Sequence, residues 1–139
     1  MRRLLLSLGL LGALHGMAQA AGSVEAGKRV FVRCLNCHAV GPNAGNGFGP
    51  QLNGVLGRKA GSVPGYNYSA AMKAAPLVWN ERNLAAFLRD NDAVVPGNKM
   101  RFFGFVTDTQ LNHLMAYLRA NPTSPPKAPP APRPAVRSP

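Results

Sequence analysis

One run constrains this chain more than any other: Cys34-Leu35-Asn36-Cys37-His38, which uses both of its cysteines. Two thiols at this spacing, followed at once by an imidazole, form the pattern of covalent haem c attachment. Each thiol adds across a vinyl group, and the imidazole binds the iron. At about 100° per residue, positions i, i+3 and i+4 share one helix face, so Cys34, Cys37 and His38 point the same way if the run is helical. A bare Cys-x-x-Cys has two other uses. A redox dithiol belongs in a βαβ setting, and no strand pattern precedes Cys34. A structural zinc needs a second ligand pair, but the other histidines are His15, near the amino terminus, and His113, far along the chain. Haem attachment is the favoured reading.

The ends of the chain differ in composition from its middle. Residues 1–20 have the form of an export signal. Arg2 and Arg3 begin it, Leu4 to Leu14 are apolar, and Ala18-Gln19-Ala20 offers a small-residue cleavage site. The apolar run is short and glycine-broken for a membrane span; an uncleaved anchor is the alternative. The mature chain is expected to begin at Ala21, in the periplasm. Residues 122–139 hold eight prolines and little to bury. They read as an extended, solvated tail, with a docking role as the alternative. Between these ends lies one domain, residues 21–121. A domain this small buries limited surface, so haem would form part of its core.

The formal net charge of +11 overstates the domain, because residues 21–121 carry eleven basic and five acidic side chains, a net of +6. The cations are scattered singly, with no aromatic-interleaved cluster, which argues against nucleic acid as a partner. A positive face meeting acidic proteins is the better expectation.

Local signals describe an all-α chain of about four to five helices and long loops. Ser23 can cap a helix from Val24, with Glu25 well placed in its first turn. Residues 40–65 are rich in Gly-Pro, Asn-Gly and Pro-Gly, hence loop, and a loop this long needs a large body to wrap. Ser69 to Ala75 can form a short helix that stops before Pro76. Asn80 can cap another to about Arg89. Thr107-Asp108-Thr109-Gln110 matches a capping box, followed by a Leu111, Leu114, Met115, Leu118 stripe ending at Asn121-Pro122.

If His38 binds iron, a sixth position remains. The candidates after signal removal are Met72, Met100, Met115 and His113. Met115 lies in the apolar stripe, His113 lies off it and reads as solvated, and Met72 lies in a short helical segment. Met100 sits in the turn-rich Val95-Pro96-Gly97-Asn98-Lys99-Met100 loop, where packing alone explains a methionine poorly. The residues favour Met100 and leave Met72 open.

Taken with Gly49-Pro50, Gly57-Arg58-Lys59 and Trp79, the haem run and the Met100 loop resemble class I cytochrome c over about Val24 to Ala120. The resemblance implies the small cytochrome c fold around one covalent haem c, with iron held by His38 and Met100. It implies that Gly27 and Phe31 meet Leu114 and Tyr117 where the first and last helices cross. The Pro50 carbonyl would accept the His38 ring N–H, and Arg58, Tyr68 and Trp79 would hold the propionates. From the residues alone, Arg58 would read as solvated and the two aromatics as core. Two positions depart from the family. Phe87 stands where many relatives have tyrosine, and Met72 where they often have asparagine, so the methionine side is expected to be apolar and repacked. The exposed haem edge keeps Arg33, Lys99 and Arg101, while Asp92 is negative where lysine is common. The implied activity is one-electron transport rather than catalysis. The expected partners are a cytochrome reductase, an oxidase or another dehydrogenase, and a monomer is expected. A peroxidase-like activity after Met100 loss, and a subunit of a larger redox complex, are the alternatives.

Overall fold

The computed structural model describes residues 22–121 except 103 and 105. The expected signal and the Pro-rich tail lie outside the described residues. Among the described residues five α-helices follow in chain order: α1 (Val24–Phe31), α2 (Ala70–Ala74), α3 (Glu81–Arg89), α4 (Asn91–Val94) and α5 (Asp108–Arg119). No strand occurs among the described residues; Lys59 and Val78 form an isolated antiparallel bridge.

The helix starts follow from their caps. Ser23 Oγ accepts from Ala26 N–H at 3.2 Å and Ser69 Oγ from Met72 N–H at 3.1 Å. Thr107 and Gln110 form the reciprocal capping box that the sequence predicted. Asn80 forms a second with Asn83, which serves where glutamate or glutamine is usual. Each such cap stabilises its helix by about 1 kcal/mol.

The first and last helices pack against each other, and Gly27 makes this possible. A Cβ at Gly27 would lie 2.0 Å from His113 O and 2.6 Å from Tyr117 Cβ, so only glycine lets the backbones approach. Beside this contact the Phe31 and Tyr117 rings meet at 5.3 Å. Phe31 and Leu111 are fully buried here, each worth about 1.5–3 kcal/mol on the scale for burying a large apolar side chain. Leu114, Met115 and Leu118 complete the buried stripe.

His113 differs from expectation. It is half-buried, and its Nδ1 accepts from Ser23 N–H at 2.8 Å. The ring satisfies a donor that the first turn of α1 leaves without an intrahelical partner, so it joins the two helices rather than facing solvent alone.

Candidate functional site

Between the loops and the helix pair lies a cavity of about 550 Å³. All eight residues expected at the site line it: Cys34, Cys37, His38, Pro50, Arg58, Tyr68, Trp79 and Met100. Leu52, Val55, Leu84, Phe87, Leu88, Leu114 and Leu118 supply much of the remaining wall. A large apolar body with a polar edge fits such a lining.

The haem-type run leaves α1 through a 3₁₀ turn, Val32–Cys34. Cys37 and His38 then donate their backbone N–H groups to Cys34 O, at 3.1 and 2.8 Å. The last of these is a helical i to i+4 bond, so the run shares a helical turn without continuing α1. As a free thiol Cys34 is pushed up to about 11, by burial first and by neighbouring Cys37 second. A thiol so far from ionising is a poor redox nucleophile, which weighs against the dithiol reading. The zinc reading fares no better, because no group of three or more His, Cys, Asp or Glu side chains among the described residues is arranged to hold a metal.

His38 is tightly braced. Its Nδ1 donates to Pro50 O at 2.7 Å; a carbonyl can only accept, so the ring proton sits on Nδ1 and Nε2 is free to bind a metal. Burial lowers the ring's pKa, opposed by the Pro50 bond and aided by Arg58. That balance favours the neutral imidazole a metal requires. Gly49 covers the other side: a Cβ there would lie 2.3 Å from His38 Cε1 and 2.6 Å from Nδ1. The backbone of Gly49 is anchored by its own N–H, which donates to Cys37 O at 2.8 Å.

Of the four candidates for the sixth position, Met72 and Met100 line the cavity. Met115 is absent from the lining and packs in the hydrophobic core, and His113 bridges α1 and α5. Met100 is half-buried on the loop after α4, where Gly97 takes a φ of +82°. Phe87 is buried against Trp79 with ring centroids 5.1 Å apart, and Met72 is buried in α2. Phe87 and Met72, the two departures, both line the cavity with apolar side chains.

Arg58 is not a solvated side chain. Its Nη1 donates to Asn53 O at 2.9 Å and its Nη2 to Gln51 O at 3.0 Å. Burial lowers its pKa, yet the guanidinium keeps its charge because arginine does not deprotonate in proteins. Tyr68 Oη accepts from Val63 N–H at 3.4 Å, and burial raises its pKa, so it stays neutral and able to donate. Trp79 is buried. A guanidinium, a phenol and an indole in the cavity lining are donors suited to carboxylates. Arg33, Lys99 and Arg101 also reach the cavity rim.

Comparison with known proteins decides the family. Residues 24–122 match the Cytochrome c family model. The chain belongs to the cytochrome c family. It is 40% identical over 119 residues to cytochrome c2 of Blastochloris viridis, spanning 86% of this chain and 93% of that protein. It is 45% identical over 97 residues to cytochrome c-550 of Nitrobacter winogradskyi, spanning 70% and 89%. Its fold is similar to that of cytochrome c2 from Rhodospirillum centenum, with a TM-score of 0.69 and 34% identity, covering 73% of this chain and all of that one. As a cytochrome c it carries one covalently attached haem c with iron, and it transfers electrons rather than acting as an enzyme.

Two residues of this cytochrome c that support the site escaped sequence reasoning. Asn53 is buried and exchanges two hydrogen bonds with the Gly41 backbone, 2.7 and 2.8 Å long. Asn98 is buried within the Met100 loop. Nothing in the local pattern marks Asn53, which lies among other turn residues. Asn98 lies two residues before Met100 in a turn-rich loop, and that position was the available signal.

Proposed function

We propose that this protein is an exported one-electron carrier whose haem iron is held by His38 and Met100. In this reading Cys34 and Cys37 carry the thioether links, and Arg58, Tyr68 and Trp79 face the propionates. Residues 1–20 act as the export signal to the periplasm, residues 21–121 as the electron-transfer domain and residues 122–139 as a solvated tail. The carrying observation is that Cys34, Cys37, His38 and Met100 line one apolar-walled cavity, with no carboxylate in the lining among the described residues. Haem iron supplies the one-electron couple.

The residues divide the remaining tasks. The Pro50 carbonyl orients the His38 ring and raises its basicity. Methionine ligation favours ferrous iron and raises the potential. Were His38 and Met100 both to hold the iron, no position would remain for a reactant. Among the described residues the cavity walls also offer no carboxylate to act as the acid or base that a peroxidase-like reaction needs. Three exposed cations beside the cavity, Arg33, Lys99 and Arg101, favour partners with an acidic docking face. The relatives are cytochromes c2 and c-550, which supports redox proteins as partners, such as a reductase, an oxidase or another dehydrogenase.

A redox-titrated absorption spectrum of the purified holoprotein tests this reading. The ferric protein should show the methionine-to-iron charge-transfer band, and Met100→Ala should lose it while Met72→Leu keeps it. Loss of the band in Met72→Leu alone, or cyanide binding as fast as in a vacant-site haem protein, would overturn it.

A further inference from the structure

The Met100 N–H is held by a buried side-chain relay. Asn98 is 3% exposed, and its amide makes three hydrogen bonds. Nδ2 donates to Asp92 Oδ1 at 2.9 Å and to Val95 O at 3.0 Å, while Oδ1 accepts from Met100 N–H at 2.8 Å. The two ends of an amide look alike, but its neighbours do not. A carboxylate only accepts and a backbone N–H only donates, so Asp92 and Met100 together fix which way the Asn98 amide points.

Asp92 is in turn fixed to the helices. It lies in the first turn of α4, whose start is capped by Asp90 through Ala93 N–H at 3.0 Å. Asn91 Nδ2 donates to Phe87 O at 2.5 Å, tying α4 to α3. The other polar contacts of the loop are made by exposed chains: Lys99 Nζ to Asn67 O at 2.9 Å, and Arg101 Nη1 to the carbonyls of Asn98 and Met100, both at 3.2 Å. Long exposed side chains lose much rotamer freedom when held, so these contacts brace the loop less than the buried amide does.

We propose that Asp92 is a positioning residue for Met100. Its carboxylate holds the Asn98 amide, the amide holds the Met100 backbone, and the departure of the thioether from iron is slowed. This rests on the reading that Met100 is the sixth ligand. It gives a task to a residue that the sequence marked only as a negative charge on a mainly positive rim.

The test follows imidazole binding to the ferric holoprotein by stopped flow. In the wild type the rate should level off as imidazole rises, the plateau being the rate at which Met100 leaves. Asp92→Ala should raise that plateau about three- to tenfold, the range expected when a charge-assisted hydrogen bond at an exposed site is lost. Asp92→Asn keeps an acceptor for Asn98 and should stay within about twofold of wild type. Met100→Ala should bind without a plateau. A wild-type plateau in Asp92→Ala overturns the proposal, whatever happens to the denaturation midpoint. An Asp92→Asn variant as fast as Asp92→Ala overturns it as well, since the acceptor would then not be the cause. If Met100→Ala keeps the wild-type plateau, the ligand reading itself falls, and the proposal with it.

Discussion

The two walls of the cavity are built in different ways. On the His38 side the ring is clamped by main chain, between the Gly49 backbone and the Pro50 carbonyl. Behind Pro50 the Arg58 fork grips the carbonyls of Gln51 and Asn53, and the Asn53 amide pairs with the Gly41 backbone. On the Met100 side an irregular loop is held by the Asn98 amide and the exposed Asp92. The first wall is close-packed around groups that have no room to move, whereas the second hangs from a short polar relay. Damage to the first should cost folding; damage to the second should, under the proposed ligation, free Met100 while the fold survives.

The largest effect is expected at Gly49. Gly49→Ala drives a methyl group into a His38 ring that is already pinned, and should cost about 3 kcal/mol or abolish haem incorporation. Holoprotein yield and chemical denaturation measure this. A fully stable Gly49→Ala protein with a loosened sixth ligand would break the contrast. Asn98→Ala comes next. It strips Met100 N–H of its acceptor and Asp92 of its donor, while Val95 O keeps the backbone N–H of residue 98, and should cost about 1–3 kcal/mol. The ferric charge-transfer band should fade at a lower denaturant concentration than helical circular dichroism does. Coincident loss of both signals would mean that the loop and the fold are one cooperative unit.

The parts legible in the sequence were those written in short-range pattern. Ser23, Asn80 and Thr107 cap as the sequence predicts, because a cap is decided within four residues, and Ser69, expected inside its short helix, proves to be that helix's cap. All eight expected site residues meet at one cavity, which the haem motif and the family resemblance together made readable. Helix α4 was missed because four residues cannot display a periodicity; its only signal was Asp90, an acceptable cap in a loop full of polar residues. The bonds of Asn53, Asn98 and His113 to distant or loop partners were illegible for another reason. Asn53 reaches back 12 residues to Gly41, and His113 serves Ser23 from 90 residues away. Such pairings depend on how loops and helices settle against each other, which local propensity does not encode.

Arg58 sharpens the contrast at intermediate size. Lysine keeps the charge but cannot bridge two carbonyls with a planar fork, so Arg58→Lys should cost about 1–2 kcal/mol. Because Arg58 supports the segment behind His38, the loss should appear in the denaturation midpoint and leave the imidazole plateau unchanged. If the potential moves while stability does not, the guanidinium acts mainly on the propionates rather than on the loop.

The smallest effect is expected from His113, which stands apart from both walls. His113→Ala deprives Ser23 N–H of its 2.8 Å acceptor at the start of α1. The cost should be about 1 kcal/mol, since water can reach the exposed Ser23 and replace part of the bond. Helix α1 leads directly into the haem run, so this variant asks whether strain at one end of the helix pair reaches the ligands. The contact of Gly27 with α5 lies between them and should absorb the loosening. Both the charge-transfer band and the imidazole plateau should then match wild type. A faster plateau in His113→Ala would show that the Met100 loop senses the α1–α5 contact, and the division into two independently braced walls would have to give way to a single coupled frame.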